Sequence, residues 1–246
     1  MLVGTGEPES LAHGAASLER FDAEPARLEG VETFHLFSEI ASAGVEALLP
    51  PGLHPTLPPA VTWIVQRVAA SPWGPFALAQ CRLECRSGLR PRGFLRGAVI
   101  DGPRAAEALA EGWGYGAEPG SVELSRGYDR VRARVSLHGT EILALLLRDP
   151  VPLGARDVQI VANVNLVRSP RGLRLLQVDP EWTFERVERG AAAVERFDAG
   201  VWGCPGARPT RPVAAVLGVG TMTLPKLRYA CRPDVLAFYG TERLGG

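Results

Sequence analysis

The sequence is almost without lysine. Its 246 residues include 27 basic ones, of which Lys226 alone is a lysine and the rest are arginines. A lysine amine can lose its proton and act as a nucleophile, whereas an arginine guanidinium stays protonated at any ordinary pH. Chemistry that starts from a lysine amine therefore has a single candidate side chain, and we interpret Lys226 as an ordinary surface residue.

An excess of charge of either sign is also absent. The 27 basic residues are balanced by 27 acidic ones, which leaves a formal net charge of zero at pH 7. Nucleic acids and anionic membranes attract positively charged surfaces, so we expect neither as the main partner. No apolar run approaches the length of a membrane span, and the N-terminus has no basic region followed by an apolar one. The sequence predicts a cytoplasmic protein whose partner is a small molecule.

Cysteine and histidine are scarce and widely spaced. If Cys81 and Cys85 belong to one strand, they lie about 13 Å apart, which is too far for a disulfide. Metal-ligand spacing of the Cys-x-x-Cys kind is missing, and the histidines lie in separate segments. We therefore expect free buried thiols, no metal site and no cofactor; the residues concerned are Cys81, Cys85, Cys204 and Cys231, with His13, His35, His54 and His138.

What is present predicts a mainly β domain with a few helices. Residues 1–30 are polar and without periodicity, which is typical of a loosely ordered arm, and residues 31–246 form a single domain. A helix is predicted for residues 38–49, where Ile40, Val45 and Leu48 share a face. Many short strands with glycine and proline turns indicate a strongly curled antiparallel sheet. The predicted strands are Val31–Phe37, Val61–Val68, Phe76–Cys85, Gly93–Ile100, Ser121–Leu124, Asp129–Leu137, Glu141–Leu147, Asn163–Val167 and Leu173–Val178.

The clearest local pattern predicts a short helix that starts after residue 101. Asp101 can cap it, Pro103 suits its first turn, and the alanine-rich residues 105–110 propagate it. Gly112 is a natural stop. Three side chains follow at or near the exit of the helix: Trp113, Tyr115 and Glu118.

This stretch resembles the acetoacetate decarboxylase superfamily, with no gap between Asp101 and Tyr115. In that family the same spacing leads into an aromatic-Pro-Lys-Lys motif. The first lysine forms a Schiff base with the substrate ketone, and the second lowers the pKa of the first by repulsion. Here Gly116, Ala117 and Glu118 stand at the Pro-Lys-Lys positions. The resemblance therefore implies the family's fold without its nucleophile.

The resemblance extends from about Val31 to Tyr229. A proline turn at residues 49–55 and the Leu-Pro step at Pro225 match family features. It implies an antiparallel β-barrel or cone and assembly into a homo-oligomer. It also implies a strand over residues 181–200, where composition alone favours a helix.

The polar residues that support the family's lysine have no clear counterparts. In the simplest alignment these positions fall at Glu39, Ile64 and Leu78, and a shift of two residues would bring Gln66 and Gln80 into the site. Loss of the lysine together with its supporters indicates a remodelled pocket.

We hypothesise first an enzyme that does not use a Schiff base. It would be a lyase, cyclase or dehydratase that acts on a keto or polyketide-like molecule of secondary metabolism. Glu118 is the candidate general base or acid, and Tyr115 the candidate donor to a carbonyl. Candidate substrate-binding residues are Trp113, Glu111, Arg96, Gln80, Gln66 and Phe76.

Two other hypotheses remain open at this point. Glu111 and Glu118 are equally typical of a solvated surface. Trp113 and Tyr115 are more typical of core packing than of ligand contacts. A non-catalytic module that binds a small molecule is the alternative, and a structural subunit with a filled barrel is the third. A cavity with converging polar groups and shifted pKa values would favour an enzyme, and an apolar cavity would favour the binding module.

Overall fold

A computed structural model describes residues 2–41 and 44–244 of the chain. Within these residues, fifteen strands form one sheet. They are β1 Ala26–Ala41, β2 His54–Pro55, β3 Ala60–Ala70, β4 Phe76–Ser87, β5 Arg90–Asp101, β6 Ala117–Pro119, β7 Ser121–Arg126, β8 Arg130–Leu137, β9 Thr140–Pro152, β10 Asn163–Val167, β11 Arg174–Val178, β12 Glu181–Phe197, β13 Arg208–Leu224, β14 Tyr229–Cys231 and β15 Thr241–Arg243.

The helical elements of the described residues are short. They are the α-helices α1 Pro8–Leu11, α2 Pro103–Trp113 and α3 Ala237–Gly240, and the 3₁₀ turns Val45–Leu48 and Ala155–Asp157. None of these helices is both long and apolar enough to cross a membrane. The predicted fold class, mainly β with a few helices, is confirmed.

The sheet is mixed and curled. Its strand order is β15-β14-β11-β10-β5-β4-β3-β1-β13-β12-β9-β8-β7, with β2 beside β4 and β6 beside β5. Its pairs are antiparallel except β10 with β5 and β6 with β5, which are parallel. The far edge strand β7 comes back to contact β3, β4 and β5. This curling produces the cone that the resemblance implied.

Each face of the central strands packs against its own apolar core. Successive side chains of a strand point to opposite faces, so Leu78 of β4 joins the core beneath α2. Its neighbour Ala79, with Leu83, joins the core enclosed by the curled sheet. Alternation therefore decides which residues of β4 can reach a cavity on the α2 side.

The first strand begins earlier and ends later than the sequence predicts. Ser38 and Glu39 pair with Val61 and Ala60 of β3, so β1 continues to Ala41. The predicted helix over residues 38–49 is therefore wrong, except that residues 42–43 lie outside the described residues. Pairing on both sides of a central strand outweighs a modest helix propensity.

The N-terminal segment is packed rather than loose. Ala12 and Leu18 are each 1% exposed. The Leu18 amide donates to the carbonyl of Arg168 at 2.9 Å, and the Arg168 amide donates to that of Ala16 at 2.9 Å. These backbone bonds and small apolar side chains tie the arm to the end of β10, a contact that local periodicity does not reveal.

Several local predictions are confirmed. Residues 103–113 form α2, with Gly102 rather than Asp101 as its N-cap and Gly114 (φ 72°) rather than Gly112 as its C-cap. Strands β10 and β11 form the expected antiparallel pair. Residues 181–197 are a strand, as the resemblance implied.

Candidate functional site

A narrow cavity lies between the central strands and α2. Its volume is about 20 Å³ for the centre of a water-sized molecule, which is room for about one ordered water. Apolar side chains such as Leu78, Leu109 and Trp182 form much of its wall. The polar residues on its wall are His35, Gln66, Gln80, Arg82, Tyr115 and Asn163.

Strand register brings the polar residues together. Gln80 and Arg82 are two apart on β4 and therefore share a face. Gln80 pairs with Ile64 of β3, which in turn pairs with His35 of β1. Gln66 lies two residues beyond Ile64. The cavity is thus floored by one face of three adjacent strands.

A continuous hydrogen-bond network joins these side chains. Asn163 Nδ2 donates to Gln80 Oε1 at 2.7 Å and to Tyr115 Oη at 3.2 Å. Gln80 Nε2 donates to Gln66 Oε1 at 3.4 Å. Arg82 Nη1 donates to Asn163 Oδ1 and, at 2.9 Å, to the carbonyl of Val161. Arg82, Asn163 and Tyr115 are therefore held as one unit.

The cavity contains a buried positive charge that is only partly compensated. The Arg82 and Glu84 side chains are 2% and 6% exposed, and Arg82 Nη2 lies 3.9 Å from Glu84 Oε1. Thr62 Oγ1 donates to the same carboxylate oxygen at 2.6 Å. Burial lowers the pKa of Arg82 and raises that of Glu84. The charge of Glu84 partly restores the pKa of Arg82, and the charge of Arg82 partly restores that of Glu84. A ligand carboxylate would supply the missing compensation.

A glycine makes room for this arginine. A Cβ atom at Gly93 would lie 2.7 Å from Arg82 Nε and 3.0 Å from Cζ. The guanidinium thus lies flat against the backbone of β5, and its Nε is buried without a hydrogen-bond partner in the described residues.

Apart from the Arg82 guanidinium, the cavity wall offers hydrogen bonds but no ionised group. Burial, assisted by Arg82, lowers the pKa of His35 to about 3, so the imidazole is neutral at physiological pH. Its Nε2 is buried and has no partner among the described residues. Burial raises the pKa of Tyr115, which therefore keeps its phenolic proton.

Half of the predicted site residues meet in this cavity. Gln66, Phe76, Gln80 and Tyr115 all line it. The two-residue shift considered for the glutamines thus describes their position correctly. Their roles in binding and catalysis stay predictions.

The other four predicted residues lie elsewhere. Glu118 pairs with Val99 through the parallel β5–β6 contact, and its side chain is exposed. Arg96 donates to the carbonyl of Gly203 and borders the same surface depression as Glu118. The expectation that Glu118 and Arg96 face the pocket is therefore wrong.

Glu111 and Trp113, at the end of α2, lie outside the cavity. Glu111 is exposed, and with Trp113 it borders a depression outside the cavity. The Trp113 side chain is buried, and its Nε1 donates to the carbonyl of Pro225 at 2.7 Å. Trp113 therefore anchors α2 to the residues after β13 and does not form a pocket wall, which corrects the prediction for both residues.

Sequence reasoning missed the two residues at the centre of the network. Arg82 carried a readable signal, because it lies two residues after Gln80 in a predicted strand. Asn163 carried none, since its strand reaches the cavity only through the parallel pairing of β10 with β5, in which Asn163 lies opposite Gly93.

Among the described residues, no lysine lines the cavity and no cluster of metal-binding side chains occurs. Lys226 is at the surface, where its Nζ lies 2.8 Å from Glu24 Oε1. No group of three or more metal-binding side chains occurs in residues 2–41 and 44–244. The four cysteines are free and buried, as predicted.

A family model also matches the sequence of the chain. The family model described as acetoacetate decarboxylase (ADC) matches residues 14–167, more than half of the chain. The chain belongs to the acetoacetate decarboxylase family. Comparison with curated proteins finds none that matches the sequence.

Solved structures show the same fold at low sequence identity. Acetoacetate decarboxylase from Legionella pneumophila has a TM-score of 0.71 and 18% identity, over 83% of this chain and 86% of that one. The enduracididine biosynthesis enzyme MppR complexed with pyruvate has a TM-score of 0.68 and 15% identity, over 84% and 90%. An acetoacetate decarboxylase-like enzyme from Sphingomonas wittichii RW1 has a TM-score of 0.65 and 16% identity, over 84% and 92%.

Proposed function

We propose that the protein binds a small oxo carboxylate in the cavity and acts on it as a lyase, cyclase or dehydratase without a Schiff base. The observation that carries this proposal is the buried Arg82–Asn163–Tyr115 network in a chain whose one lysine, Lys226, lies at the surface. The solved structure of MppR with pyruvate supports a 2-oxo acid as the ligand class.

Arg82 is the group suited to the carboxylate. A guanidinium presents paired N–H donors that match a carboxylate, and such charge-assisted bonds are stronger than neutral ones. Arg82 is buried, and its partner Glu84 lies 3.9 Å away. An anionic ligand would therefore gain more here than at a solvated surface arginine.

Tyr115 is suited to the carbonyl oxygen, and Asn163 holds it in place. Tyr115 keeps its proton because burial raises its pKa, and its oxygen accepts from Asn163 Nδ2, which leaves the phenolic O–H free to donate to the ligand. Donors aimed at an oxygen that becomes negative lower the barrier to forming an enolate. Dehydration, cyclisation and carbon–carbon cleavage next to a ketone share such an intermediate. The proton that leaves the carbon next to the carbonyl goes to Nε2 of the neutral His35 imidazole, which lines the cavity and has no partner among the described residues.

A non-catalytic binding module is the second candidate. Apart from Arg82, the cavity wall has no ionised group at neutral pH, and the free volume of about 20 Å³ accommodates less than a pyruvate molecule. A ligand of that size would have to displace some of the lining, to which the half-buried Ile160 and Val161, just before β10, contribute. These features suit a carrier or sensor that closes around its ligand.

The first experiment distinguishes three cases: an enzyme, a non-catalytic binding module, and a protein that does not bind oxo acids. Pyruvate is titrated calorimetrically, and in D₂O its methyl protons are followed by NMR for exchange above the buffer rate. Because Arg82→Gln alone would leave Glu84 unpaired, the test variant is the double substitution Arg82→Gln/Glu84→Gln. Glu118→Gln, which alters an exposed acid outside the cavity, is the matched control.

We expect the double variant to bind pyruvate about tenfold or more weakly and the Glu118→Gln variant to bind it normally. Exchange that a Tyr115→Phe variant loses would support the enzyme, and binding without exchange would support the module. The proposal fails if the wild-type protein does not bind pyruvate or other short 2-oxo acids, or if the double variant binds them equally well.

A further inference from the structure

The cavity has an apolar part to which the proposed function assigns no portion of the ligand. The hydrogen-bond network around Arg82 belongs to β4 and β10. Further along the strand order, Leu28 of β1 pairs with Met222 of β13, which pairs with Trp182 of β12, and all three residues line the cavity. Gln66 joins the two parts, because its Nε2 lies 3.9 Å from Met222 Sδ. Beyond Gln66, a ligand held by Arg82 therefore meets apolar side chains from three adjacent strands.

The Trp182 indole in this apolar part belongs to an aromatic stack. Trp182 and Phe184 are two residues apart on β12 and share a face, and their rings are stacked at 11° with centroids 5.1 Å apart. The indole also meets the His35 imidazole edge to face, with centroids 6.3 Å apart. The cavity wall includes Trp182 but not Phe184. The indole therefore lies between the Phe184 ring and the cavity.

A glycine of β13 makes room for this stack. A Cβ atom at Gly218 would lie 2.5 Å from Phe184 Cε1 and 2.9 Å from its Cδ1, so any other residue at this position would displace the ring. The β12–β13 register also shifts between Phe184 and Arg186, and such irregularities re-aim the side chains beside them. The position of the stack is thus fixed by the two strands that carry it.

Trp182 lies where the cavity approaches the surface. Its side chain is half-buried, as are Pro180, Ile160 and Val161 of the same wall, whereas the Arg82 side chain is 2% exposed. The indole Nε1 is buried and has no hydrogen-bond partner among the described residues, although buried N–H groups are normally paired. A ligand too large for the enclosed volume therefore extends along Trp182, where the wall is least buried.

We propose that Trp182 determines specificity and that the substrate is a 2-oxo acid with an aromatic ring beyond its carbonyl. This inference rests on the proposed function, in which Arg82 binds the carboxylate and Tyr115 the carbonyl oxygen. The remainder of the substrate then lies in the apolar part, where a planar ring packs on the indole surface that Phe184 leaves uncovered. Aromatic pairs attract each other beyond the burial of their area, both offset-stacked and edge to face. Pyruvate has no group that makes this contact.

Three 2-oxo acids with the same head group test this inference. Pyruvate carries no chain, 4-methyl-2-oxopentanoate carries a branched apolar chain, and 2-oxo-4-phenylbutanoate carries a ring. Their dissociation constants are measured calorimetrically. We expect the wild-type protein to bind the phenyl compound about tenfold or more tightly than pyruvate, and the branched compound with intermediate affinity.

Two variants of Trp182 separate an aromatic contact from simple filling of space. Trp182→Phe keeps an aromatic face and should keep the preference for the phenyl compound. Trp182→Leu is apolar without such a face, and the preference should fall about fivefold or more. The ratio of the two dissociation constants is the readout, because a general loosening of the cavity weakens every ligand. Trp73→Leu, which alters a half-buried tryptophan outside the cavity, is the matched control and should leave the ratio unchanged.

The inference is overturned if the wild-type protein binds the three acids equally well, or if Trp182→Leu keeps the full preference for the ring. Pyruvate binding that the Arg82→Gln/Glu84→Gln variant loses would then still support the proposed function, so the two failures are distinguishable. A wild-type protein that binds none of the three acids overturns both. Should Trp182→Leu fail to fold, the order of the three wild-type affinities decides.

Discussion

At the scale of single residues, burial rather than sequence motif decides what the site can do. Arg82 is charged at neutral pH, Tyr115 keeps its proton, and His35 stays neutral, although none of these states is visible in the local sequence. The neutral states of Tyr115 and His35 follow from desolvation, which disfavours the charged form of a group. Arg82 keeps its charge despite burial because the pKa of a guanidinium is intrinsically very high. The resulting site can orient and polarise an anionic carbonyl compound.

The neutral imidazole of His35 predicts a loss of stability in mild acid. Folding lowers the pKa of His35 from 6.5 to about 3, so between these values the unfolded chain binds a proton that the folded chain does not. Stability contributed by His35 is complete above pH 6.5 and falls as the pH drops. At pH 5 the loss is about 2 kcal/mol.

Urea unfolding at pH 7 and pH 5 measures this contribution. We expect His35→Gln to remove about 2 kcal/mol of the pH dependence, and substitution of the exposed His13 by glutamine to leave it unchanged. Equal pH dependence in the wild-type and His35→Gln proteins would contradict the burial argument.

The limits of sequence-based prediction are clearest for neighbouring residues after α2. Tyr115 and Glu118 both follow the helix, yet Tyr115 enters the cavity and Glu118 is exposed. The parallel pairing of β6 with β5 makes this difference, and it depends on residues distant in the chain. Strand alternation, by contrast, would have been sufficient to group Gln80 with Arg82, which sequence reasoning missed.

At the scale of elements, α2 is held by a specific bond at its C-terminal end. Trp113 is 3% exposed, and its Nε1 donates to the carbonyl of Pro225 at 2.7 Å. Trp113→Phe removes this donor and part of a buried ring, so the free energy of unfolding should fall by about 2 kcal/mol.

Chemical denaturation of the variant checks this prediction. Trp73→Phe is the matched control, because Trp73 packs against Trp113 with ring centroids 5.9 Å apart but is only partly buried. A loss for Trp113→Phe no larger than that for Trp73→Phe would show that the bond to Pro225 does not anchor the helix.

Elements with their own local signals were the predictable ones. Pro103 and the alanines that follow it were sufficient to predict α2. The glycine-containing turn before Leu173 was sufficient to predict the β10–β11 hairpin. The helix predicted over residues 38–49 failed because β1 has partners on both sides, β3 and β13. The strand over residues 181–197 required the family resemblance, since its composition favours a helix.

At the scale of the whole molecule, the family's fold surrounds a cavity of different chemistry. The described residues place no lysine on its wall; an arginine, two glutamines, an asparagine and a tyrosine share one network. The central claim is that this protein handles an oxo acid without a covalent imine. That claim concerns every amine of the chain, the N-terminal one included.

Borohydride trapping tests the claim most directly. The protein is incubated with pyruvate or acetoacetate, reduced with sodium borohydride and weighed intact, beside an acetoacetate decarboxylase that forms a Schiff base. We predict that the unmodified mass persists here while the reference enzyme gains a stable adduct. A stoichiometric adduct on this chain, mapped to Lys226 or to the N-terminus, would contradict the account.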